Sequence, residues 1–138
     1  MNDCPCGLLT TYTDCCGRFL RGSANPDTAE ELMRSRFTAH VKKNWGYLLK
    51  TLCADERKSE TVNEIDSGAD WTRLEILSSQ QGELGDQHGE VVFAAHFNDG
   101  EQDRVHRETA RFQRENGKWV YAGERSEVEP LEGVEQEE

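Results

Sequence analysis

An α+β domain, with helices packed on one face of a curved antiparallel sheet behind a short cysteine-rich knot, is the fold class the sequence predicts. Three observations predict it. Four of the five cysteines fall between Cys4 and Cys16. Residues 28–52 then carry apolar side chains at helical spacing. From Trp71 onward the apolar period changes to two, and turn residues punctuate it.

The knot, residues 1–23, is rich in Cys, Gly and Thr and leaves little room for regular structure. Its cysteines run Cys-x-Cys, eight residues, Cys-Cys. Cys4, Cys6, Cys15 and Cys16 match the tetrahedral preference of a structural zinc ion. Pro5 and Gly7 favour the turn that lets Cys4 and Cys6 converge. Gly17 lets the chain leave after the paired cysteines. So short a segment has almost no apolar core, and metal would supply its folding free energy. The alternative is a cluster of free thiols or a redox pair. A shell closed by four cysteines leaves no open position for substrate, so the expected role of zinc is structural. Cys53 lies beside Leu49 and Leu52 and reads as a buried small hydrophobe.

A helix is announced by "NPDTAEELMRSRFTAHV". Thr28 and Glu31 stand in capping-box relation, and Met33, Phe37 and Val41 make an apolar stripe. A second helix is expected from about Asn44, with Trp45, Leu48, Leu49 and Leu52 on one side. Residues 54–68 are polar and ambiguous. "WTRLEIL" then alternates, although Trp71 is out of phase with Leu74 and Ile76. "EVVFAAHF" is apolar on nearly both faces, which predicts a central strand. "RVHRETARFQRE" and "KWVYAGE" are strands joined by Asn116-Gly117, a strong hairpin signal. That loop pairs Glu115 with Lys118 and Phe112 with Tyr121. His106 and Glu108 then share the aromatic core face with Phe112, Trp119 and Tyr121.

The formal net charge is −11, which disfavours a nucleic-acid partner. From Glu124 to Glu138 there are seven Glu and one Arg, a net −6. This end, residues 125–138, reads as a disordered acidic tail after a domain spanning 24–124. No apolar run is long enough to span a membrane. "MNDCPC" has no secretory-signal character, so a reducing, cytoplasmic setting is expected.

C-x-C-x8-C-C resembles the SEC-C zinc motif. With "AEELMRSRFTAHV", "YLLKT", Trp71 and "RFQRENGKWVYAGE", the chain resembles the YchJ-like family over roughly residues 4–124. The resemblance implies an NTF2-like cone, three helices wrapped on a bent sheet, with the third helix or its remnant in 54–68. Between the cysteine pairs the family usually carries several lysines. This chain keeps Gly7 and Tyr12 but none of those lysines.

Function follows less directly. The SEC-C resemblance implies a zinc-stabilised module that docks a protein partner not yet identified. A cone cavity could instead serve a small-molecule binder or enzyme. Glu108 would then be the general base, with His106 or His96 beside it. The competing structural role pairs Glu108 with Arg34 or Arg36 and holds helix to sheet. No nucleophile elbow or phosphate loop accompanies these residues. A third reading is a homodimer through the open sheet face, lined by Arg107, Thr109, Arg111 and Val120. His40 and His88 read as surface residues.

Overall fold

The computed structural model describes residues 3–54 and 70–130, with side chains as far as Gly123. A 3-10 turn (Tyr12–Asp14) and helix α1 (Cys16–Leu20) follow the first cysteine pair. Then come α2 (Ala29–Lys42), α3 (Trp45–Lys50), β1 (Asp70–Gln81), β2 (His88–Asn98), β3 (Asp103–Glu115) and β4 (Lys118–Pro130). The strands form one antiparallel meander in the order β1-β2-β3-β4. The helices pack on one of its faces, giving the α+β architecture.

Helix α2 starts where its capping pattern places it. Thr28 Oγ1 accepts from the Glu31 N–H at 3.1 Å. The return half of the box is offset by one residue: the Glu31 carboxylate accepts from the Asp27 N–H at 2.8 Å. The helix ends at Lys43, which adopts a left-handed φ of 60°. Asn44 then caps α3 by accepting from the Tyr47 N–H at 3.1 Å.

Helix α3 is shorter than its spacing predicts. Past Thr51, which caps the helix, the chain runs beside β4 and bridges Leu52 to Tyr121. The Tyr121 N–H donates to the Thr51 carbonyl at 2.7 Å, and the Cys53 N–H donates to the Tyr121 carbonyl at 2.9 Å. An edge strand with unmet backbone groups outcompetes another helical turn here. Cys53 is buried, as expected, but from this segment beside β4 and not from a helix. The wrapping helix expected over 54–68 lies, beyond Ala54, outside the described residues.

The core lies between α2 and the sheet. Ala29, Leu32, Met33 and Phe37 meet Leu74, Val91, Phe93, Ala95, Ala110, Phe112 and Trp119. β2 is internal, which explains why both its faces are apolar. Trp71 joins the core face through a bulge. It pairs with Phe97, while Arg73 pairs with His96, so Thr72 is an extra residue that resets the alternation. The β3–β4 hairpin has the expected register, Glu115 to Lys118 and Phe112 to Tyr121. Asn116 and Gly117 both take positive φ, as a two-residue primed turn requires.

Strand β4 continues into the segment read as an acidic tail, residues 125–138, as far as Pro130, pairing from Ala110↔Glu124 to Arg104↔Pro130. β3 is the basic strand, carrying Arg104, Arg107, Arg111 and Arg114. In that register Glu127 falls opposite Arg107. Residues 131–138 lie outside the described set.

The start of α2 rests on the β1–β2 turn. The Ala29 N–H donates to the Gly82 carbonyl at 2.9 Å. A Cβ on Gly89 would lie 2.4 Å from the Gly82 Cα and 3.3 Å from the Ala29 Cβ. Backbone crowding of that kind cannot relax by a rotamer change. Gly89→Ala is therefore expected to destabilise the fold by about 1–3 kcal/mol, read by thermal or urea unfolding. Gly85→Ala, at a site with open space around the new methyl, serves as the neutral control.

Candidate functional site

The four cysteines of the knot converge. Their Sγ atoms all lie within 4.8 Å of one another, and all four residues are buried. The chain reaches this arrangement by local hydrogen bonds. The Cys4 N–H donates to the Thr10 carbonyl at 2.8 Å, and the Gly7 N–H returns to the Cys4 carbonyl at 3.2 Å. Gly7 takes a φ of 102°, which a side chain would strain. The 3-10 turn then delivers Cys15, whose N–H donates to the Tyr12 carbonyl at 3.0 Å. Cys16 opens α1. Gly17 has a sharper reason than chain exit: a Cβ there would lie 2.7 Å from the Tyr12 carbonyl oxygen.

The donor set fits one metal ion. A tetrahedron of sulfurs about 2.3 Å from a central ion has edges of about 3.8 Å. Cys6 Sγ and Cys15 Sγ are 3.7 Å apart. Without an ion, neighbouring thiols push one another apart in acidity. The hydrogen bond from Cys16 draws the Cys6 thiol down to about 5. Burial, reinforced by charge on Cys6, pushes the Cys15 thiol up to about 12. Cys16 is raised as well, first by its hydrogen bond to Cys6 and then by burial. A cation is what would let all four ionise together.

Helix α2 holds this nest with a polar stripe at four-residue steps. Arg34 Nη1 donates to the Cys6 carbonyl at 2.7 Å. Thr38 Oγ1 lies 3.7 Å from Cys4 Sγ. Lys42 Nζ stands 4.3 Å from the Tyr12 ring centre. Polar residues on a helix ordinarily signal solvent, so sequence reasoning passed over Thr38 and Lys42 and offered Arg34 to Glu108 instead of to the knuckle. The available signal was their spacing, one residue out of step with Met33, Phe37 and Val41. Beyond the nest, Phe19 of α1 packs with Ala39, Tyr47 and Leu48, which ties the knot to both longer helices.

The second candidate cluster lies on the core face of the sheet. Glu108 is buried at 7% exposure. Its Oε1 is 2.7 Å from His106 Nε2, and its Oε2 accepts from the Tyr121 hydroxyl at 2.5 Å. Arg34 is committed to Glu30 and to the Cys6 carbonyl. Arg36 stands 4.6 Å over the Tyr121 ring and donates to Thr51 Oγ1 and the Leu48 carbonyl. Trp71 meets His106 and His40 with ring centres 6.4 Å and 5.8 Å apart, so His40 is half-buried and not a surface residue.

His96 does not join Glu108 and His106. In β2 the inward positions are Val91, Phe93 and Ala95, so His96 falls on the opposite face. There its Nε2 lies 3.1 Å from Glu75 Oε1 and 3.2 Å from Arg73 Nη2. The His96 contact, and then Arg73, hold the Glu75 carboxyl below its usual range. That face also carries Arg107, Thr109, Arg111 and Val120. His88 is exposed, at the first position of β2.

Known proteins share this architecture. A family model described as YchJ, middle NTF2-like domain, matches residues 28–123. A UPF0225 protein from Streptomyces coelicolor is 43% identical over 119 residues, spanning 86% of this chain and 91% of the relative. A UPF0225 protein from Corynebacterium glutamicum is 44% identical, spanning 86% and 93%. The solution structure of a SEC-C motif containing protein from Rhodopseudomonas palustris superposes with a TM-score of 0.83 at 28% identity, covering 90% of this chain and 98% of that one. A crystal structure of a SEC-C motif containing protein from Psychrobacter arcticus gives 0.76 at 26% identity, covering 89% and 81%. With its cysteine nest set against an NTF2-like helix-and-sheet domain, the chain belongs to the YchJ-like, UPF0225 family.

Proposed function

We propose that this protein is a zinc-stabilised interaction module, in which a structural tetrathiolate ion organises the N-terminal knuckle for docking to a protein partner. The observation that carries the reading is the all-sulfur, buried, mutually adjacent donor set. Sulfur ligands favour zinc over hard cations, and four of them leave no position for substrate. None of the five cysteines is in a disulfide, in keeping with a reducing, cytoplasmic setting. The loop between the cysteine pairs exposes Leu8 and Leu9, the latter 87% accessible. An apolar knuckle tip of that kind serves contact and not catalysis.

Elemental analysis of the purified chain should find one zinc per molecule. Cys16→Ser should lose it, and chelation should lower the melting temperature of the wild type. A metal-free protein with unchanged melting would overturn the zinc assignment. Leu8→Ser combined with Leu9→Ser should keep the metal and abolish capture of the partner. Undiminished capture by that variant would remove the knuckle tip from the interaction.

A second reading, a small-molecule or catalytic site on the core face, is favoured by the buried carboxylate of Glu108 bonded to an imidazole and a phenol. Such a set can hold or move a proton. It predicts ligands, found by thermal-shift screening, whose effect disappears in Glu108→Gln while the knuckle metal is retained. Loss of the phenol in Tyr121→Phe should cost about 1.5–3 kcal/mol, the value of a hydrogen bond to a charged group, measured by urea unfolding.

A further inference from the structure

Thr38 occupies a polar position in the middle of α2, yet its side chain is fully buried at 0% exposure. A helical threonine ordinarily returns its hydroxyl to the carbonyl four residues earlier. Here, among the described residues, the hydroxyl meets sulfur: it lies 3.7 Å from Cys4 Sγ. Between a thiol and a hydroxyl, either group can donate. A metal-bound thiolate has no proton and only accepts.

Four thiolates around one dication carry a net −2, and these four are buried. Buried negative charge needs donors aimed at it. Arg34 and Lys42 grip the backbone and the Tyr12 ring of the knuckle. Within that stripe Thr38 is the residue that touches a ligand atom itself.

We propose that Thr38 is a positioning residue of the metal centre, donating its hydroxyl proton to the Cys4 thiolate and fixing that sulfur to α2. The proposal rests on the reading of the cysteine nest as a zinc site. It makes α2 the structural link between the metal and the core of the NTF2-like domain.

Thr38→Val keeps the shape of the side chain and removes the donor. Its zinc affinity, measured by competition with a chromophoric chelator, should fall about 10–100-fold. In the cobalt-substituted protein the sulfur-to-metal charge-transfer band should move in Thr38→Val and return in Thr38→Ser. Equal affinity and an unmoved band in Thr38→Val would overturn the proposal. So would a Thr38→Ser variant that loses as much as Thr38→Val, because the methyl and not the hydroxyl would then be responsible. The wild type provides a test that no folding defect can obscure: loaded with NMR-active cadmium, it should show a slowly exchanging Thr38 hydroxyl proton coupled to the metal. Absence of that coupling overturns the proposal. A wild-type chain that takes up no metal at all overturns the zinc reading, and this one with it.

Discussion

One 14-residue helix, α2, has to satisfy three different neighbours at once. Met33 and Phe37 face the sheet. Arg34, Thr38 and Lys42 face the cysteine nest. Ser35 meets the Tyr47 hydroxyl of α3 at 2.7 Å, and Ala39 packs with Tyr47 and Leu48. A helix with no solvent-facing majority is held from every side. This is why the knuckle is continuous with the domain. Any disturbance of the nest is felt by the residues that pack the sheet.

Much of the fold was legible because its signals were local. The capping residues of α2, its apolar stripe, the Asn116-Gly117 turn and the register it imposes all depend on neighbours in sequence. The cysteine spacing was legible for the same reason, since four thiols so close along the chain can hardly avoid one another. That His106 and Glu108 share the core face followed from the hairpin register, which left the partner of Glu108 open.

What stayed hidden depended on distant partners. Leu52 fits a helical stripe, but β4 offers its neighbours better hydrogen bonds than another turn would. Residues 125–130 read as part of a tail from their composition alone, because the strand they pair with lies some twenty residues earlier. His96 seemed free to face either way, because the strand bearing it is apolar on both sides. Its side is set by Phe93 and Ala95 reaching the core. Thr38 drew no attention in the sequence, because nothing near it shows that the knuckle folds back over it.

The bulges in β1 affect more than the placing of Trp71. β1 is the outermost strand on its side of the sheet. Its pairing with β2 slips at Thr72 and again at Leu77. A foreign chain seeking to extend the sheet would meet donors and acceptors out of step along this rim. Natural sheets use such irregular borders to resist runaway strand addition. The same two supernumerary residues that interrupt the β1–β2 ladder therefore also make this border a poor template for an added strand.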